Sequence, residues 1–415
     1  MTPVIKTNKI ATIMNFSREK LLRYLDSLYD QTTGAYSSVN GLGTTLYGTG
    51  YAVLTKHYLG LENPCEERTL EFIKNCQEED TGYFVGPELQ NWSPPPESKF
   101  HTREHLLLHL TISTLPVLAQ FGSQPKFPLK FAHAFTDESY LATWLNQRDL
   151  SRAWVEGNNL LFVGQLLVFL RDVEKHPNAD RALNQWFKWL DERIAPNTGL
   201  WGTDLGCDHF SGVYGGYHQL LVYYHEKHPI TSPQQLVDVV LALQHPDGGF
   251  AEYKGGGACQ DVDCVDVLVN FYKMYDYRRA DIRFALRKCL DHLWTLQRAD
   301  GGFPSSRLDI THIHMGIPAT KTSPEHSGMF ETWFRVHTLT LIAEILTDEP
   351  RLETGFTGFN STLSMGWHPA WNRSEHLISA NEKKAEFSAK LNFMKRAALL
   401  YTKRLWSKIR RLCFH

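Results

Sequence analysis

The feature that most limits how this chain can fold is a turn that keeps returning. It reads Thr33-Gly34-Ala35-Tyr36, Thr81-Gly82-Tyr83-Phe84, Thr198-Gly199-Leu200-Trp201, Asp247-Gly248-Gly249-Phe250 and Asp300-Gly301-Gly302-Phe303. The first glycines lie 48, 117, 49 and 53 residues apart, and because the long gap is close to twice the others, a degenerate copy is expected near Trp144 to Trp154. Each copy follows an apolar helical stretch and places glycine where a helix ends, since glycine enters the left-handed backbone region at little cost. The aromatic two residues later can pack back over the helix end. A period near 50 residues holds two helices with their loops, and a two-helix unit cannot bury both faces alone, so units must stack. Closing the stack removes its exposed ends. The expected fold is all-α: an α/α toroid of about six helical hairpins with inner and outer helix rings, an open solenoid being the alternative.

Composition agrees with a large core. Of 415 residues, 42% are hydrophobic and 21% charged, the profile of a globular chain. A net charge of -2 and a pI near 6.8 speak against a nucleic-acid partner, whose footprint is a basic domain. Met1 to Lys20 lacks the apolar run of a secretory signal, and no stretch of 18 apolar residues occurs, so a cytoplasmic location is expected. Seven cysteines at irregular spacing, without a paired C-x-x-C, read as reduced thiols.

The chain divides into an N-terminal extension (1–20), the toroid (21–350), an irregular linker rich in Gly, Ser, Asn and Thr (351–385) and a basic amphipathic helix (386–415). From Phe387 to His415 there are eight Lys or Arg and no acid. Leu391, Met394, Ala398, Tyr401, Leu405, Ile409 and Leu412 share one side of a helical wheel. Such a helix suits a membrane surface, making the protein peripheral there, or docks on the toroid with its basic face in water.

Polar and aromatic residues gather at the starts of the helices expected inside the ring. They include Tyr47 and Tyr51; Trp154, Glu156 and Asn158; Tyr214, Tyr217 and His218; Asp261, Asp263 and Asp266; and Glu331, Trp333 and Arg335. If alternate helices form the inner ring, these starts converge on one mouth. His101, His105 and His109, at i, i+4, i+8 spacing, and His312-x-His314 are read as solvent or loop histidines.

The turns Leu243-Gln244-His245-Pro246-Asp247-Gly248-Gly249-Phe250 and Leu296-Gln297-Arg298-Ala299-Asp300-Gly301-Gly302-Phe303 resemble the repeats of terpenoid cyclases and protein prenyltransferases, over about residues 20 to 350. That resemblance implies a toroid with an aromatic-lined cavity. Asp261-Val262-Asp263 is similar to the first three positions of the D-x-D-D acid motif of squalene-hopene-type cyclases, and Asp263-Cys264 to the opening of the D-C-T-A-E motif of oxidosqualene cyclases. Cys264 replaces the fourth aspartate of the first motif, and neither Thr nor Glu follows as the second requires. The resemblance implies a class II enzyme without a cofactor in which Asp263 protonates an isoprenoid. Clustered carboxylates suit this chemistry: Asp261 and Asp266 would hold the proton on Asp263 by like-charge repulsion, and Cys264 would donate a weak hydrogen bond. Tyr217, Trp154 and Trp333 would stabilise the cation through their faces, with Tyr51, His218 and Glu331 completing the substrate site. Those families also use a second barrel, for which this chain has no room, leaving a place for a partner subunit.

Two other readings compete. A zinc-dependent prenyltransferase resembles an Asp-x-Cys pair plus a later His, here Asp261, Cys264 and, 62 residues beyond Cys264, His326, although the Asp spacing differs. The other is a carbohydrate-active or non-catalytic binding toroid: glycan chemistry would gain if Glu331 or Glu156 faced Asp263 across a polar open groove, and a closed apolar pocket would favour a terpenoid.

Overall fold

The computed structural model describes residues 16–96, 98, 101–308, 311–352, 356, 358–370, 385–386 and 388–390. In chain order the helices are α1 (Arg18–Ser27), α2 (Leu46–Tyr58), α3 (Glu66–Asn75), α4 (Pro87–Gln90), α5 (Arg103–Gln120), α6 (Glu138–Asn146), α7 (Ala153–Asp172), α8 (Ala179–Asp191), α9 (His209–Glu226), α10 (Pro233–Leu243), α11 (Ala258–Met274), α12 (Arg279–Leu293) and α13 (Met329–Ile345). Helices α2, α5, α7, α9, α11 and α13 each pack on the next, and α13 returns to α2, which closes an inner ring. The outer partners are α1, α3, α6, α8, α10 and α12. Six hairpins therefore make an α/α toroid.

The two rings differ in sequence because they differ in surroundings. Outer helix α8 buries one stripe, Ala182, Leu183, Trp186, Phe187 and Leu190, and leaves Asp180, Arg181 and Lys188 in water. Inner helices have no wet side. The stretch Leu150–Asp172 is long and apolar enough to cross a membrane, yet 72% of its apolar window is buried inside the protein, as befits a core helix.

The recurring turns join outer to inner helices. All five first glycines have positive φ, from 71 to 104°, and the aromatic that follows each, Tyr36, Phe84, Trp201, Phe250 or Phe303, is buried. Two turns add short pairing: β1 (Tyr29–Asp30), β2 (Ala35–Ser37) and β3 (Thr44–Thr45) form one antiparallel sheet, and β4 (Ile194–Ala195) pairs with β5 (Leu200–Trp201). The aromatic backbone N–H is then tied to the following inner helix. Tyr36 donates to Thr49 Oγ1 at 3.0 Å, Phe84 to Thr111 Oγ1 at 3.0 Å, Phe250 to Asp261 Oδ1 at 2.7 Å and Phe303 to Thr332 Oγ1 at 3.0 Å. The degenerate copy lacks glycine; there Arg148 stacks on Trp144 at 4.2 Å and Leu150 takes the buried position.

A glutamine at three turns stitches neighbouring hairpins together. Gln77 Nε2 donates to Gly82 O and Phe127 O, and Gln244 Nε2 to Gly248 O and Ala285 O. At the last turn the partner is the start of the chain: Gln297 Nε2 donates to Ser17 O at 2.9 Å, and Ser17 N donates to Gln297 Oε1 at 2.6 Å. Gly301 lies so close to the Lys20 carbonyl and Tyr24 that a Cβ has no room. These contacts close the ring.

Residues 358–370, within the stretch expected as a linker, carry no helix but are folded against the toroid. Asn360 Nδ2 donates to Ser364 Oγ at 2.8 Å and Met365 O at 2.7 Å, fixing a turn that packs on Tyr58 at the end of α2. Trp367 packs on His225 near the end of α9, ring centroids 5.1 Å apart. Of the expected basic helix, Glu386 accepts from Arg287 Nε at 2.7 Å and Ala389 is buried; the apolar stripe from Leu391 to Leu412 lies outside the described residues.

Candidate active site

The beginnings of α5, α7, α9, α11 and α13 surround a cavity of about 480 Å³. Its wall is made of His105 and His109 from α5, Trp154 and Asn158 from α7, Ser211 and His218 from α9, Cys259, Gln260 and Asp263 from α11, and Phe330 and Phe334 from α13. His101, just before α5, and Ser305, His312, His314 and Met315, from the loop before α13, complete the mouth, and Met365 reaches in from the C-terminal turn.

Asp263 is 1% exposed, and its Oδ2 has no hydrogen-bond partner. Burial, then the neighbouring carboxyls of Asp266 and Asp261, push its pKa well above the carboxylate range. It therefore holds a proton at neutral pH. Asp266, one turn deeper, is pushed up to about 8 by burial, against the opposing bond from Asn270 Nδ2 at 3.0 Å.

The imidazoles move the other way. Burial brings His105 and His218 down to about 4 and leaves His109 and His314 well below the usual histidine value, so these rings are neutral at pH 7. His218 Nδ1 lies 2.6 Å from the Tyr214 carbonyl. A carbonyl only accepts, so Nδ1 carries the proton and Nε2 is bare. His109 Nδ1 sits 2.8 Å from the Tyr47 hydroxyl, and His314 stacks on Phe330 with centroids 3.4 Å apart. A neutral acid and lone-pair-bearing rings share one cavity.

Among the residues that the sequence gathered at the inner-helix starts, Asp263, Trp154, Asn158 and His218 are on the wall. Others are not. Asp261 is fully buried between the Phe250 N–H and the guanidinium of Arg335, which also bonds the Ser305 carbonyl. It anchors a turn and does not line the cavity. Cys264 lies beside Cys289 of α12, off the cavity wall, where burial raises its thiol well above the ordinary value. Asp266 is buried below the wall. Tyr217 is buried off the wall with its hydroxyl unpartnered, in the field of Asp266 and Asp263. Trp333 and Tyr51 stack on each other at 4.7 Å behind Phe330, so neither offers its face to a substrate. Glu331 is 1% exposed and accepts from His312 Nδ1 at 2.7 Å, behind the mouth. His326 is exposed and bonded to Ser323. Asp261, Cys264 and His326 thus do not converge, and among the described residues no group of three His, Cys, Asp or Glu is placed to hold a metal.

The histidines expected in solvent are instead the cavity wall: His101, His105 and His109, with His312 and His314 opposite. A signal was present. His105 and His109 interrupt the apolar run Leu106, Leu108, Leu110 and Ile112 on a helix whose every side is buried, so their rings had to face an internal space.

A family model of the prenyltransferase alpha-alpha toroid domain matches residues 8–93 and 135–317. Among solved structures, a polysaccharide lyase superposes with a TM-score of 0.40 and 14% identity, over 72% of this chain and 87% of that chain. No curated protein sequence matches significantly.

Proposed function

The chain belongs to the prenyltransferase alpha-alpha toroid family, and because a shared ring does not fix a reaction, we propose from its cavity that it is an acid–base enzyme in which Asp263 gives a proton to the bound substrate and a wall imidazole takes one away. The observation that carries this reading is Asp263 itself, a buried, unpaired carboxyl aimed into a cavity where His105, His109, His218 and His314 are neutral. Acid and base are each in the protonation state their task requires at pH 7.

Polar side chains set into a largely apolar wall argue for a polyhydroxylated substrate of the carbohydrate class. Asn158, Gln260, Ser211 and Ser305 offer hydrogen bonds, and Trp154 with the half-exposed Tyr253 offers flat faces at the mouth. Asp263 is the one carboxyl on the wall among the described residues, so the facing carboxylates of glycoside hydrolysis are not assembled. The chemistry that fits is elimination or isomerisation, with a C–H proton passing to imidazole and the Asp263 proton passing to the departing oxygen or the opposite carbon face.

Protonation-initiated isoprenoid cyclisation is the second reading, favoured by the apolar patch of Phe330, Phe334, Met315 and Met365. The imidazoles weigh against it, because a bare nitrogen at the wall would trap a free carbocation or take its proton early. The test is incubation of full-length protein in D2O with two probe panels, neutral and acidic oligosaccharides and linear isoprenoids, read by mass spectrometry. Turnover of a saccharide that falls about 100-fold or more in Asp263→Asn supports the first reading. Conversion of isoprenoids alone promotes the second, and undiminished turnover in Asp263→Asn refutes both.

A further inference from the structure

Beside the cavity, the start of α7 carries a chain of side chains that proton transfer from Asp263 does not itself need. Arg148, from the turn before α7, donates Nη1 to Glu156 Oε2 at 3.1 Å. The same oxygen accepts from Asn159 Nδ2 at 3.0 Å. That contact orients the amide: with its nitrogen held by the acid, its oxygen must point the other way, and it lies 2.9 Å from His105 Nδ1 on α5. An amide oxygen accepts and never donates, so the proton of the neutral ring sits on Nδ1.

Resting on the acid–base reading above, we propose that Arg148, Glu156 and Asn159 are positioning residues that lock His105 with a bare Nε2 toward the cavity, making His105 the proton acceptor that works with Asp263. None of the three lines the cavity, while His105 does. Glu156, which the sequence offered as a second carboxylate facing Asp263, acts instead through another residue. His218 has the same tautomer, but its Nδ1 is held by a neutral carbonyl of its own helix. His105 alone of the two is linked to a carboxylate, whose charge, relayed through the polarised amide, favours the imidazolium as it forms. The other groups around the ring are Phe162 and the imidazoles of His101, His109, His218 and His314; burial lowers all four imidazoles, so they are uncharged beside it. An amide rather than a carboxylate next to Nδ1 sets the tautomer without charging the ring beforehand.

The tautomer is read without any substrate. In full-length protein labelled with ¹⁵N-histidine, long-range ¹H–¹⁵N spectra are expected to show His105 protonated at Nδ1 and bare at Nε2. Diethyl pyrocarbonate, which acylates an unprotonated imidazole, is expected to modify His105 nearly as fast at pH 5 as at pH 7, whereas a free-histidine reference peptide slows about 25-fold. Asn159→Leu removes the acceptor, so both tautomers appear. Glu156→Gln, a gentler change that lets the amide turn over, moves the spectrum in the same direction. On the probe turned over by the wild type, Asn159→Leu is expected to lower kcat about 10- to 100-fold with KM within about twofold. A wild-type ring protonated at Nε2, or a spectrum unmoved by both substitutions, overturns the lock and leaves Asp263 as acid untouched. A shifted tautomer with full kcat overturns His105 as the base.

Discussion

Asp266→Asn replaces a fully buried carboxyl by an amide of the same shape that never ionises, and its effect on stability is expected to depend on pH in one direction. In the folded protein burial pushes Asp266 up to about 8, while in the unfolded chain an aspartate titrates near ~3.9. Below about pH 4 both states hold the proton, and the group costs the fold nothing. As pH rises toward 8 the unfolded chain releases a proton that the folded protein keeps, so stability falls by about 1.4 kcal/mol per unit. Between pH 5 and 7.5 this amounts to about 3 kcal/mol, absent from the variant. Asp263 contributes a slope of the same sign to both proteins, which the difference between them removes to first order. The assay is urea unfolding followed by far-ultraviolet circular dichroism and tryptophan fluorescence at the two pH values. The Asp266→Asn protein should gain about 3 kcal/mol on the wild type across that interval. A gap that stays constant within about 0.5 kcal/mol would show that Asp266 is charged or hydrated in the fold, and the argument that burial keeps the proton on its neighbour Asp263 would lose its support.

Three further outcomes test the scaffold. Gly301→Ala puts a Cβ at a φ of 98° against the Lys20 carbonyl; a loss of at least about 2 kcal/mol, measured as a lower melting temperature, is expected, and an unchanged midpoint would mean the ring is not closed there. Gln297→Ala removes the bonds to Ser17, so faster hydrogen exchange should appear in α1 with a cost of about 1–3 kcal/mol; protection equal to wild type would argue otherwise. Arg335→Met leaves Asp261 buried without its ion-pair partner, with an expected loss of about 3–5 kcal/mol that is partly regained in the double variant with Asp261→Asn; additive effects in the double-mutant cycle would contradict the pairing.

The ring was legible because its turns require particular residues, while the wall was legible only in part because an inner helix gives no register. Each position along an ordinary amphipathic helix announces its side by its polarity. On α13 that cue fails: Phe330 and Phe334 face the hollow, whereas Glu331, Trp333 and Arg335, each one residue and about 100° from one of them, turn toward neighbouring elements. The aromatic residue with the largest face was therefore the natural choice from sequence, and it was packed away. The same uncertainty sent His105 and His109 into solvent. Gln77, Gln244 and Gln297 were visible at the turns, but their reach to the next hairpin depends on a neighbour far away in the chain.

Register also explains how the acidic string divides its work. Residues two apart on a helix point about 200° from each other, so Asp261 and Asp263 cannot present their carboxylates to one site. Asp261 stands where Thr49, Thr111 and Thr332 stand in their own hairpins, accepting the N–H of the turn aromatic. A carboxylate there, in place of a hydroxyl, additionally holds Arg335. Asp263 falls on the opposite side and meets the cavity. Asp266, three residues on and about 60° round, shares that side one turn below, which is why it bears on Asp263 more strongly than Asp261 does. The spacing that resembles an acid motif thus follows from two separate demands on one helix, a turn to be fastened on one flank and a proton to be kept on the other.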